Sequence, residues 1–122
     1  MSIYSKDILS NSADGNGIKV NNFSGSSTSI HTGSTTATSY DEVWIYANSP
    51  TTGNILLTLM CGGTADSNLI TTPISGNAGS VCVVPGFIVK GNASPKMIGA
   101  FVNTGSYAGA YVNVYGFVNK IV

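Results

Sequence analysis

Apolar and polar residues alternate in short runs along this chain, and clusters of turn-forming residues separate the runs. No stretch repeats its apolar positions at a helical period, so the pattern predicts strands. Residues 40–61, YDEVWIYANSPTTGNILLTLMC, hold the richest signal: two apolar runs flank an Asn-Ser-Pro-Thr-Thr-Gly-Asn turn, which predicts a β-hairpin. Period-two geometry sends Val43, Ile45 and Ala47 one way and Trp44 and Tyr46 the other. Neither set suits open water, so this sheet needs cover on both sides.

Residues 18–23 and 27–32 alternate with more polar content and read as strands near an edge. Residues 69–74 carry Pro73, which fits an edge or a bulge because proline donates no ladder hydrogen bond. The apolar run 81–84 stops at Pro85 and Gly86, a type II turn signal, and a short strand follows over 87–90. Residues 97–102 form a further strand. The last, 110–118, alternates cleanly, with Tyr111, Asn113, Tyr115 and Phe117 on one face and Val112, Val114, Gly116 and Val118 on the other. Eight or nine strands with regular turns predict an all-β fold, a single antiparallel β-sandwich, with a jelly roll favoured over an immunoglobulin-like order. The apolar pair Ile8 and Leu9, followed by turn formers, makes residues 1–16 an N-terminal arm and turn; residues 17–122 are the sandwich domain.

At 122 residues the chain is one domain, long enough to bury about two thirds of its unfolded surface. Only 8% of residues are charged and the net charge is zero, which favours association over solitary solubility. The basic residues are five scattered lysines with no arginine, so a nucleic-acid partner is not expected. Nor is a membrane, since no apolar run approaches the ~18 residues of a spanning helix. The start of the chain lacks the apolar core of a signal peptide, which predicts synthesis and use in a reducing cytoplasm. Cys61 and Cys82 are then expected as small buried hydrophobes and not as a disulfide.

Catalytic chemistry finds little to work with. His31 is the only histidine, so no catalytic triad and no two-histidine metal cradle can be assembled within one chain; its expected role is a single hydrogen bond in a strand. Asp41 and Glu42 are neighbours, which in a strand puts them on opposite faces, where they would keep a strand entrance soluble. Gly62 and Gly63 precede neither a lysine nor a helix and read as a tight turn, and Asp66, Ser67 and Asn68 offer one carboxylate where a calcium loop brings several. No enzyme, metal or cofactor is expected. Tyr107, Tyr111 and Tyr115 beside Asn103 and Asn113 are the best raw material for stacking and hydrogen bonding a sugar. The apolar residues in excess of one core, Trp44, Tyr46, Leu56, Met60, Tyr115 and Phe117, have the aromatic and methionine content of an interface and predict a homo-oligomer.

Several short segments in order resemble a known group: Gly17-Ile18-Lys19, Ile30-His31-Thr32, Asp41-Glu42-Val43-Trp44-Ile45-Tyr46-Ala47-Asn48, Leu57-Thr58-Leu59, Pro85-Gly86, Ala100-Phe101 and the ending Gly116-Phe117-Val118-Asn119-Lys120-Ile121. They are similar to short virion structural proteins of tailed bacteriophages, of the capsid decoration or cement type, over residues 17–122. Lys120, where an arginine is common, and the long Ser/Thr loop before Asp41 depart from that pattern. The resemblance implies a protein of the capsid surface, assembled in the host cytoplasm, that binds the major capsid protein and stabilises the mature head as a homo-oligomer, a trimer being favoured. On that reading Ile3, Tyr4, Ile8 and Leu9 of the arm would touch the shell. The alternative is a carbohydrate-binding module of a tail or head fibre, and only there is a glycan a partner.

Overall fold

The computed structural model describes residues 4–22, 26–50, 53–63, 66–77, 79–103 and 111–122. Within them lie nine strands: β1 (Tyr4–Ile8), β2 (Ile18–Val20), β3 (Thr28–Thr32), β4 (Tyr40–Asn48), β5 (Asn54–Cys61), β6 (Leu69–Ser75), β7 (Val81–Lys90), β8 (Met97–Asn103) and β9 (Val112–Ile121). They form two sheets, one ordered β1-β9-β4-β7 with β2 also on β9, the other ordered β3-β8-β5-β6.

The pairings nest. β5 pairs with β6 at the tip, then β4 with β7, β3 with β8 and β2 with β9, so the chain is one long antiparallel ribbon folded over on itself. Two further pairings, β4 with β9 and β5 with β8, knit the folded ribbon into two sheets. This is the strand order of an eight-position jelly roll, with β1 and β2 sharing the first position along the edge of β9.

The expected hairpin at 40–61 is not one. β4 belongs to the first sheet and β5 to the second, and the turn between them is an arch that carries the chain across the sandwich. The turn residues mark a reversal correctly, but whether the flanking strands then pair depends on the competing partners β7 and β9 for β4, and β6 and β8 for β5, most of them distant in sequence. The core is built by this arch: Val43, Ile45 and Ala47 point inward from one layer, Ile55, Leu57 and Leu59 from the other, and all are buried. Ile98, Ala100 and Val102 of β8 and Val112, Val114 and Val118 of β9 extend it, with Val20, Ile30, Ile74 and Val89 from other strands.

Pro85 and Gly86 likewise do not end a strand. β7 runs through them, and the register against β4 skips Gly86 and again Val83. Gly86 has φ of +83°, so the residue that suits a turn serves here as the extra residue of a bulge. The second bulge turns both Val83 and Val84 inward. β3 has its own irregularity between Ser29 and His31, which buries Ile30 and His31 together. With Pro73 on β6, each of the edge strands β3, β6 and β7 is marked against further pairing.

The segment read as an arm carries β1, whose residues 4–8 pair with residues 117–121 of β9. Beyond it the chain crosses to the other layer. Leu9 is buried, Asn11 N–H donates to Ile30 O at 3.3 Å, and Thr32 N–H donates to Ser10 Oγ at 2.7 Å. Residues 9–11 therefore strap the two sheets together along one open side.

At the centre of the first sheet β9 approaches β4 closely at Gly116. A Cβ there would lie 1.9 Å from Trp44 O, with backbone and not a flexible side chain in the way. Gly116→Ala is expected to cost about 2–3 kcal/mol and to lower the melting temperature by roughly 10 °C in a circular-dichroism melt. Gly17→Ala, whose added carbon meets nothing closer than 3.8 Å, is the matched control and should leave the melt unchanged.

Candidate functional site

Charge is distributed by layer. The strands of the second sheet, TSIHT, NILLTLMC, LITTPIS and MIGAFVN, contain no Asp, Glu, Lys or Arg. Lys6, Asp7, Lys19, Asp41, Glu42, Lys90 and Lys120 all lie on strands of the first. The two outer faces consequently offer different chemistry.

On the first sheet the register of β4 and β9 sets cross-strand pairs in a row: Glu42 with Asn119, Trp44 with Phe117, Tyr46 with Tyr115, Asn48 with Asn113. The Trp44 and Phe117 rings stack with centroids 6.0 Å apart and planes within 9°, and those of Tyr46 and Tyr115 at 6.5 Å and 19°. Polar pairs thus bracket two aromatic pairs. Glu42 Oε1 accepts from Trp44 Nε1–H at 2.6 Å and from Asn119 Nδ2–H at 3.0 Å. Those two bonds, the Trp44 one foremost, hold the Glu42 carboxyl below its ordinary value. Lys6 Nζ sits 4.7 Å from the Phe117 ring centroid, and Lys19 Nζ 4.4 Å from that of Tyr111. Tyr4, Ser5, Lys6, Glu42, Asn119 and Ile121 enclose a hollow of about 350 Å³ at the Glu42 end of the row.

The outer face of the second sheet is apolar and hydroxyl-bearing. Leu56 is 42% exposed and Met97 45%, beside the half-buried Met60, Leu69 and Phe101. Thr58 and Thr71 hydrogen-bond to each other across the strands at 3.1 Å, so their hydroxyls make no demand on a partner. A hollow of about 410 Å³ opens between Met60, Met97 and Gly99 and the adjoining Gly62, Gly63 and Ser94 to Lys96.

Two interior polar residues, His31 and Asp41, are paired with each other. His31 Nδ1 accepts from Ser10 N–H at 3.0 Å, which leaves the ring proton on Nε2, facing Asp41 Oδ2 at 2.7 Å. His31 and Asp41 are both buried, and the pair spans the layers from β3 to β4. Asp41 and Glu42 do occupy opposite faces, but Asp41 is a buried partner and not a solubilising charge, and His31 makes two bonds where one was expected. Removing either partner would strand the other at a cost of about 1–3 kcal/mol.

The six residues expected at one interface fall on opposite sides of the molecule. Trp44, Tyr46, Tyr115 and Phe117 share the outer face of the first sheet; Leu56 and Met60 are on that of the second. The grouping requires β4 and β5 to pair, and they belong to different sheets. Of the residues expected to touch a shell, Tyr4 is 71% exposed and Ile8 42%, Leu9 is wholly buried in the core, and Ile3 lies outside the described residues. The sugar-directed set is dispersed as well: Asn103 ends β8 in the second sheet, Asn113 and Tyr115 are in the first, and Tyr107 lies outside the described residues. Cys61 is a buried free thiol whose pKa is pushed up by desolvation. Cys82, also free, is exposed on β7 and not a core residue, because the bulge at Val83 turns it outward.

No family model and no curated protein matches the sequence, so the likeness to tailed-bacteriophage proteins has no counterpart there. Solved structures share the fold. A protein of the Bacillus endospore appendages, described as disulfide-linked pili, superposes with a TM-score of 0.52 at 13% identity over 98% of this chain and 88% of its own. A chain of the T13 IBDV viral particle gives 0.53 at 12% over 99% of this chain, and one from the Gt strain of infectious bursal disease virus gives 0.50 at 12% over 99%. This chain spans about a third of those two, 31% and 32% of their lengths. The class the fold defines is the jelly roll, here shared with structural proteins of a spore pilus and of viral particles.

Trp44 is the only tryptophan and reports directly on Glu42. Because the folded-state pKa of Glu42 is depressed, its contribution to stability is present above the ordinary value of 4.5 and is lost as pH falls through the lowered one. Titration of Trp44 emission is expected to show a transition with its midpoint below 4.5, absent in Glu42→Gln.

Proposed function

We propose that this protein is a non-catalytic virion structural protein, a decoration protein that coats the outside of a bacteriophage head as a homo-oligomer and stabilises the capsid lattice. The observation that carries this is the outer face of the second sheet, whose four strands hold no charged residue and on which Leu56 and Met97 are exposed. An apolar sheet face of this kind tends to be covered, and a second copy can cover it without bringing like charges together. Seven of the ten charged residues lie on strands of the other sheet, so a copy can approach by this side at little electrostatic cost. The fold it shares with subunits of a pilus and of viral particles supports an assembling role, and the likeness of residues 17–122 to tailed-bacteriophage proteins supports the head as the place.

The mechanism is area and avidity. A contact of roughly 800 Å² per side holds a stable oligomer, and several subunits tied to neighbouring lattice positions multiply a weak individual contact. A trimer over local three-fold positions, with the major capsid protein beneath it, is the arrangement that ties the most neighbours per copy. Of the residues first expected at the interface, Leu56 and Met60 are assigned to it.

Purified protein mixed with undecorated, expanded heads and imaged should give density at regular lattice positions. Leu56→Glu should convert the oligomer to monomer in light scattering and weaken decoration at least tenfold, with an unchanged circular-dichroism melt. Wild-type protein that stays monomeric at micromolar concentration, or that leaves the heads bare, would contradict the proposal.

A further inference from the structure

The face opposite the assembly face carries a second interaction surface, of different chemistry. We propose that the outer face of the first sheet, at its Tyr40 end, docks an acidic protein surface, which on the decoration reading is the shell. The identity of the partner rests on that reading; the chemistry required of it comes from the face itself.

The strand registers decide which side chains share this face. Tyr4 and Tyr40 both lie opposite Ile121, Ile8 and Trp44 both lie opposite Phe117, and Ile88 lies opposite Glu42. Tyr4, Ile8, Tyr40 and Ile88 are four of the eight large hydrophobic side chains exposed among the described residues, so this face too calls for cover. The same registers sort the charges. Lys6 lies opposite Asn119, Lys19 opposite Asn113 and Lys90 opposite Tyr40, which puts three ammonium groups on the face with one carboxylate, that of Glu42. Asp7, Asp41 and Lys120 alternate to the other side of the sheet, where Lys120 Nζ is 3.9 Å from Asp7 Oδ2 and Asp41 is held by His31. Lys6 and Lys19 rest against aromatic rings, which position them without neutralising them, and Lys90 makes no ion pair among the described residues. Within a chain of zero net charge, three cations against one anion leave this face a positive surplus.

That mosaic selects the partner. A second copy docked by the same face would set one positive surplus against another, and like charges across an interface cost affinity. A nucleic acid presents a continuous track of phosphates, whereas Lys6 on β1 and Lys90 on β7 stand at opposite edges of the sheet, about 14 Å apart at ~4.8 Å per strand, with apolar side chains and no arginine around them. A protein surface that sets carboxylates among apolar groups satisfies both the lysines and the exposed tyrosines and isoleucines. The hollow between Tyr4, Lys6, Glu42 and Asn119 is a socket in which one partner side chain can anchor. Tyr4 and Ile8, two of the residues expected at a shell, belong to this face, and the structure adds Lys6, Tyr40, Ile88 and Lys90 to them.

The test titrates undecorated, expanded heads with the whole protein at about 0.1 M and about 0.5 M salt, with light scattering and a circular-dichroism melt on each variant. Wild-type affinity is expected to fall about tenfold or more at the higher salt. Lys6→Glu combined with Lys90→Glu should lower it about tenfold or more at the lower salt, with the oligomer and the melt unchanged, and Ile88→Ser should lower it several-fold at both. Decoration indifferent to salt and to the double reversal would overturn the docking face and leave the decoration reading standing; heads left bare by the wild type would overturn both. A double variant that falls to monomer would make the face a contact between copies. Wild-type binding to duplex DNA or to phosphatidylserine vesicles, tighter than to heads and abolished by the double reversal, would make the partner a nucleic acid or a membrane, and each of these results contradicts the proposal.

Discussion

The register between β4 and β9, nine consecutive cross-strand pairs from Tyr40 opposite Ile121 to Asn48 opposite Asn113, is the constraint on which the rest of this structure depends. It fixes two surfaces at once. Val43, Ile45 and Ala47 enter the core against Val118, Gly116 and Val114, while Trp44 and Tyr46 meet Phe117 and Tyr115 outside. A slip of one residue would exchange these sets and expose the core of the first sheet. Gly116 allows the two backbones to approach closely, and Asp41 at one end of β4 is tied through His31 to the other layer. The register of one sheet is therefore coupled to the placement of the other.

The coupling reaches the N-terminal strand. β1 pairs with the same end of β9 that carries Phe117 and Asn119, and the strap behind it holds β3 through Ser10 and Asn11. Lys6 reaches the Phe117 ring because β1 is in register there. The aromatic row on the first sheet thus depends on a segment that is joined to the second sheet, whose four strands carry no charged residue. The sandwich thereby presents a polar and aromatic row on one side and four strands without charged residues on the other.

Much of this was legible in the sequence. Alternation alone separates Val43, Ile45 and Ala47 from Trp44 and Tyr46, Pro73 fits an edge strand or a bulge, and the even spacing of turns indicates a sandwich, with a jelly roll favoured over an immunoglobulin-like order. What the sequence could not supply was pairing between distant strands. The turn after Asn48 looks the same whether its strands pair or part, so the pattern predicts a hairpin where an arch stands and groups Leu56 and Met60 with Trp44, across the molecule from which they lie. Pro85 and Gly86 satisfy a bulge as well as a turn, since both use a glycine at positive φ. β1 was hidden because its side chains are exposed and show no buried face. The His31–Asp41 link joins residues ten apart whose approach across the layers no local pattern signals. The sequence does carry one further clue: charge avoids the four runs that form the second sheet.

The proposed division of the molecule into a covered face and an open one can be measured in a single experiment, hydroxyl-radical footprinting of the protein at high concentration against protein diluted until any assembly dissociates. The account predicts that Leu56, Met60 and Met97 become protected on assembly while Trp44, Tyr46 and Tyr115 keep their reactivity. Protection of the aromatic row with Met60 and Met97 still reactive would contradict it.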